Sequence, residues 1–251
     1  MTAGGYGLRT YETAVIAVEE QPFRAASNRF LSKASFSSKQ ACIIDRIGGP
    51  VPEIRALFWD VGGVLLTNAW DHEERNLASE GFHLDKDEFE KRHKESVQPF
   101  EEGRISLDEY LQRSVFYQPR TFQPEEFKQL ILSLSKPKSD VLEIARRLRG
   151  KFLMGTINNE SRELNQYRIK TFGLAECFSL FVSSCFVGIR KPDERIYRMA
   201  LDFVQRAPEE CGFIDDRPVN VEAAAKLGLC AILLRSPSQL KSDLQKFGVE
   251  I

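Results

Sequence analysis

Four short stretches of the chain carry side chains that could do chemistry together. Asp60 closes the apolar run Ala56-Leu57-Phe58-Trp59 and is followed at once by Gly62-Gly63. Asn158-Asn159 closes a second run, Phe152 to Ile157. Lys191 sits in Gly188-Ile189-Arg190-Lys191-Pro192, just ahead of a helical pattern. Asp215-Asp216 closes Gly212-Phe213-Ile214. Carboxylates are hard oxygen ligands, and Mg²⁺ takes few of them alongside water and substrate phosphate. A lysine supplies a point charge to phosphate oxygens. Two strand-end acids and a lysine gathered at one point would make a site for Mg²⁺ and a phosphoryl group.

Gathering them requires a particular scaffold. Continuous apolar runs suit parallel strands buried on both faces. Leu180-Phe181-Val182 and Cys230 to Leu234 add two more such runs, for five in all. Helical apolar faces lie between the later ones: Val141, Leu142, Ala145 and Leu148; Ile196, Ala200, Phe203 and Val204; Val221, Ala224, Ala225 and Leu227. Strand–helix alternation predicts an α/β fold with a doubly wound parallel sheet. In such sheets ligands bind at the carboxyl edge, where three of the four stretches end, with Lys191 in a loop just before a helix.

The interval from Asp60 to Phe152 is too long for one crossover helix. It reads as amphipathic helices near 71–80, 85–99, 106–117 and 124–135, with a capping box at Ser106-Leu107-Asp108-Glu109. The expected organisation is an N-terminal extension over 1–52, a core over 53–70 and 136–251, and an inserted helical cap domain over 71–135. Gly48-Gly49-Pro50-Val51-Pro52 is a natural linker into the folded part.

With these motifs in order, the sequence resembles the haloacid dehalogenase superfamily, most of whose members are Mg²⁺-dependent phosphatases. Phe58 to Leu65 resembles the first motif, Phe152 to Asn159 the second, Arg190-Lys191-Pro192-Asp193 the third and Phe213 to Asn220 the fourth. Within the superfamily it is most similar to the subgroup with a helical cap after strand one, which includes sugar-1-phosphatases and the phosphatase domain of soluble epoxide hydrolases. The resemblance implies that Asp60 is the nucleophile and passes through an aspartyl-phosphate. It implies Mg²⁺ on Asp60, the carbonyl of Gly62, Asp215 and Asp216, with Asn220 at a position that is often acid or amide. Lys191 would neutralise Asp60 and the phosphoryl group. Asn158 would donate to phosphate, with Asn159, Gly62 and Gly63 beside the substrate.

Two departures stand out. Family phosphatases usually carry a second Asp two residues after the nucleophile, as general acid. Here that residue is Gly62. General acid–base catalysis contributes about 10²–10⁴-fold, so the protein is expected to be slow, to favour leaving groups that need little protonation, or to borrow an acid from the cap. His72 is the nearest candidate there, though it reads first as a partly exposed cap histidine. The second motif usually ends in a hydroxyl residue and Asn. Asn158 takes the hydroxyl's place, and Thr156 is the alternative if the strand ends early. The expected function is phosphoryl hydrolysis of a small phosphorylated metabolite. A catalytically weak binding protein and a metal-free dehalogenase are the alternatives, and the Asp215-Asp216 pair argues against the last.

The 251 residues carry 35 Lys+Arg and 36 Asp+Glu, a net charge of −1, which excludes broad nucleic-acid binding. That balance is uneven: 1–52 is basic, 71–135 acidic and the remaining frame mildly basic. The five cysteines, Cys42, Cys177, Cys185, Cys211 and Cys230, have no metal-ligand spacing and read as reduced thiols of a cytoplasmic protein. No apolar stretch is long enough for a membrane helix. The acid-free, serine-rich stretch from Gln21 to Ile44 resembles a transit peptide in composition, but the glutamates before it favour a loosely ordered extension. Trp70, Phe100 and Tyr110 read first as packing within the inserted segment, with pocket lining as the alternative. Oligomeric state has no signature in the sequence.

Overall fold

The computed structural model describes residues 53–251; the expectations for 1–52, Cys42 included, lie outside them. Five parallel strands form one sheet in the order β3-β2-β1-β4-β5. They are β1 (Ala56–Trp59), β2 (Leu153–Asn158), β3 (Leu180–Ser183), β4 (Cys211–Asp215) and β5 (Cys230–Leu233). The chain builds outward from β1 to β3, then crosses back to lay β4 against the other side of β1. Trp59 is in register with Thr156 on β2 and Ile214 on β4. Asp60 therefore leaves the sheet at its switch point, where two crossovers diverge and a crevice opens.

The apolar runs are continuous because both faces are covered. Leu57, Trp59, Met154, Ile214 and Ile232 pack on one side with α5 (Ser139–Leu148) and α10 (Pro237–Lys246). Ala56, Phe58, Ile157, Val182 and Phe213 pack on the other with α8 (Glu194–Val204) and α9 (Pro218–Lys226). Each fully buried Leu, Ile or Phe contributes about 1.5–3 kcal/mol relative to exposure. A further helix, α6 (Arg162–Thr171), and a single turn, α7 (Ser184–Val187), complete the core.

Four helices lie between β1 and α5: α1 (His72–Gly81), α2 (Lys86–Glu101), α3 (Leu107–Ser114) and α4 (Pro124–Ser133). Asp71 and Ser106 cap α1 and α3 in full capping boxes, and Asp85 caps α2. The helices close around their own aromatic cluster. Trp70 meets Phe89 and Phe127 edge-on, and Phe100 stacks on Tyr110 at 4.3 Å. Such pairs are worth about 0.5–1.5 kcal/mol each beyond their buried area. Two linkers tie the insertion to the core and bridge to each other at Leu66 and Pro137.

Candidate active site

Asp60, Asp215 and Asp216 meet at the carboxyl edge, with oxygens from all three within 4.8 Å of one another. Lys191 arrives from the loop after α7. Its ammonium, 1% exposed, lies 3.0 Å from Asp60 and 2.6 Å from Asp215. That loop is held from the second strand end: the Asn159 amide donates to the Lys191 carbonyl at 2.9 Å and accepts from its N–H at 2.8 Å. Asn159 thus positions the lysine. The Lys191-Pro192 peptide is cis.

Burial raises the Asp60 carboxyl to about 7; Lys191 opposes this and Asp215 reinforces it. Three carboxylates face one ammonium, so the ionised cluster carries two excess negative charges in a nearly dry site. Asp215 has its oxygens taken by Lys191, the Arg217 N–H and the Asn220 amide. By contrast, Asp216 has a buried Oδ1 with no hydrogen-bond partner. A divalent cation fits this donor set: hard oxygens, surplus charge and one oxygen with nothing to bind. Gly63 makes room for that acid. Its φ is +75°, and a Cβ there would come 2.1 Å from Asp216 Oδ2.

Two other expected residues are placed differently. Asn158 is buried and does not line the cleft; its amide nitrogen donates to Asn165 at 3.0 Å and its oxygen accepts from Ser183. The side chain expected on phosphate is committed to pinning β2, α6 and β3 together. Thr156 is also fully buried within the sheet. His72 is exposed, 3.9 Å from Glu90, and does not line the cleft.

The cleft itself is small and polar, with about 70 Å³ open to solvent beside Asp60 and Lys191. The helical insertion contributes Val97 and Phe100, Trp70 stands on its entry linker, and Tyr110 is buried behind them. Two ion pairs cross from insertion to core at this cleft: Asp71–Arg217 at 2.8 Å and Glu101–Arg190 at 2.7 Å. Ser184 adds a hydrogen bond to the Glu101 carbonyl at 2.6 Å.

The sequence reading missed Glu160 and Arg168, both of which line the cleft. Arg168, on α6, is 1% exposed. It donates to Glu160 at 2.8 Å, to the Thr67 and Asn68 carbonyls on the entry linker, and to Ser135 on the return linker. One guanidinium thus grips both linkers. Gly62 lies against it: a Cβ on that glycine would stand 3.4 Å from Arg168 Nη1. The missed signal is a polar stripe, Ser161, Asn165 and Arg168, at helical spacing and facing inward.

The doubly wound sheet thus gathers an acid cluster and a lysine at its switch point. Residues 54–228 match the profile of haloacid dehalogenase-like hydrolases, and the chain belongs to that family. The chain is 29% identical over 153 residues to flavin mononucleotide hydrolase 1 of Arabidopsis thaliana, a chloroplast protein, covering 61% of this chain and 62% of that one. It is 27% identical over 220 residues to bifunctional epoxide hydrolase 2 of Sus scrofa, covering 79% of this chain and 40% of that one. The match therefore spans less than two thirds of either relative. The fold is also that of a HAD family enzyme from Bacteroides thetaiotaomicron solved with magnesium and inorganic phosphate. That structure has a TM-score of 0.62 and 21% identity, over 72% of this chain and 94% of that one. Among the described residues no helix is long and apolar enough to cross a membrane.

Proposed function

We propose that the protein is a Mg²⁺-dependent phosphatase acting on a small phosphorylated metabolite, with Asp60 as nucleophile. The observation that carries this is the unpartnered, buried Oδ1 of Asp216 beside Asp60 and Asp215. Asp60, Asp216 and the Gly62 carbonyl would hold the cation, with Asp215 behind them orienting Lys191 and Asn220. When bound, Mg²⁺ supplies positive charge to the phosphoryl oxygens.

The remaining work falls to the chain. Asp60 attacks phosphorus and becomes an aspartyl-phosphate, which water then hydrolyses. Lys191 favours the ionised form of the nucleophile against its burial and offers positive charge to the transferring oxygens. Positioning and electrostatics dominate such reactions, and Asn159 fixes the lysine's place. The helical insertion acts as a cap. With Trp70 and Phe100 against a cleft this small, it selects compact leaving groups.

Purified protein assayed with an aryl phosphate, an acyl phosphate and a panel of phosphometabolites, with and without Mg²⁺, tests the reading. Metal-dependent phosphate release that disappears in Asp60→Asn is expected. Activity that survives this substitution, or halide release from a 2-haloacid without metal, overturns it.

A further inference from the structure

Position 62 cannot supply a proton, and the helical insertion does not place His72 at the cleft. The residues surrounding Gly62 point elsewhere. Where a side chain at 62 would begin, Arg168 Nη1 stands 3.4 Å away, and its carboxylate partner Glu160 lies 2.8 Å beyond that nitrogen. Glu160 lines the same cleft as Asp60 and is 8% exposed. It is also held rigidly. Its backbone N–H donates to Ser184 at 3.0 Å, and its Oε1 accepts from the Ser161 N–H at 3.0 Å. The usual acid is absent, and a fixed carboxyl from the loop after β2 lines the same cleft, behind the Arg168 Nη1 that stands over position 62.

We propose that Glu160, positioned by Arg168, donates the leaving-group proton in the reaction assigned above. The inference rests on the phosphatase reading. In the first step an Asp60 oxygen bonds to phosphorus and the ester P–O bond breaks. The electron pair stays on the ester oxygen, which takes the Glu160 proton and leaves as an alcohol. In the second step water bonds to phosphorus and passes a proton to the Glu160 carboxylate as the Asp60–P bond breaks. Asp60 and the Glu160 acid are both regenerated.

The electrostatics of the pocket suit this task. Burial lifts the Glu160 carboxyl to about 7, with Glu101 from α2 pushing the same way and Arg168 from α6 pulling it down. Cys185 on α7 faces it as a neutral thiol, its own acidity suppressed first by burial and then by Glu160. A carboxyl near neutrality holds its proton often enough to give it and can recover it from water.

The test compares Glu160→Gln with wild type on 4-nitrophenyl phosphate, whose leaving group needs little protonation, and on a simple alkyl phosphate, whose leaving group needs it fully. kcat/KM is read because it reports transfer to Asp60, the step in which the leaving group departs. The variant should lose about 10²–10⁴-fold on the alkyl ester, and its aryl-to-alkyl preference should rise at least tenfold. Equal losses on both esters, or none, overturn the proposal. Should the variant fail to fold, wild type alone decides. Across aryl phosphates of increasing leaving-group pKa, kcat/KM stays nearly flat with proton donation, and a steep fall overturns the inference. A wild type that releases phosphate from neither ester overturns the phosphatase reading itself, which separates the two failures.

Discussion

Arg168 stands against Gly62, its Nη1 3.4 Å from where a Cβ would sit, while the next glycine faces Asp216 at 2.1 Å by the same measure. Adjacent glycines thus serve different ends. Gly62→Ala meets ordinary contact distances and should fold with a melting temperature close to wild type. Gly63→Ala combines a φ of +75° with a collision on the unpartnered acid. The left-handed conformation alone costs about 1–2 kcal/mol. Thermal unfolding should show a drop of several degrees for Gly63→Ala only, with a clear loss of Mg²⁺-dependent activity.

The legible parts of the site share one property. Asp60 and Asp215 each follow an apolar run, and Lys191 precedes a proline and a helix cap, so local sequence announces them. The parallel sheet was equally plain, because two-sided burial makes Leu57 and Phe58 apolar alike. Helix α6 was not. It buries Asn165 and Arg168 beside Leu164, and a hydrophobic-period reading turns such residues outward. Asn158 was misplaced for a related reason. A strand-end amide satisfies a neighbour as readily as a ligand, and Asn165, which claims it, lay in the unread helix.

Arg168→Met should be among the most damaging single substitutions in the core. It strands the Glu160 carboxyl in a buried pocket and leaves the Thr67 and Asn68 carbonyls without their donor. Breaking a buried ion pair from one side costs about 3–5 kcal/mol. Arg168→Lys should recover only part of this, because an ammonium cannot reach acceptors on both linkers as a planar fork does. Urea unfolding midpoints of the three proteins check the order.

Asp60→Asn should separate stability from activity. The Asp60 carboxyl is raised to about 7, above its ordinary value near 4, so its ionised form is disfavoured by folding. Its contribution is favourable at low pH and is lost as pH rises toward 7 and beyond. Removing the charge should therefore raise the metal-free melting temperature at pH 8 by a few degrees, about the response to 1 kcal/mol in a protein of this size. Mg²⁺ should stabilise wild type markedly and the variant much less. Calorimetry at pH 8 with and without the metal reads both effects, and a destabilised, metal-responsive variant contradicts them.

Lys191→Met should act in the opposite direction. It leaves Asp60 and Asp215 buried and facing each other without their shared cation. A loss of about 3–5 kcal/mol follows, and adding Asp60→Asn should restore part of it. Non-additivity in that double-mutant cycle is the measurable signature. Strict additivity would mean that the ammonium does not couple to the nucleophile.

His93 sets an acid limit on the helical insertion. Trp70 Nε1 donates to the Tyr110 hydroxyl at 2.9 Å, which leaves that hydroxyl's single proton for His93 Nδ1 at 2.8 Å. A ring that accepts this proton at Nδ1 is neutral. Burial, with Arg75 nearby, lowers its pKa to about 4. An unfolded histidine titrates near 6.5, so between those values the unfolded chain binds more protons than the folded one. Stability from His93 is full above pH 6.5 and is lost as pH falls toward 4, by an amount on the order of 3 kcal/mol. Asp60 and Glu160, both raised to about 7, contribute with the opposite sign in the same window. The wild-type curve alone therefore mixes the two. The difference between wild type and His93→Gln isolates the histidine. The gap in unfolding free energy between them should shrink steadily from pH 6.5 to pH 4, and a gap independent of pH would mean that His93 is not held neutral by Tyr110.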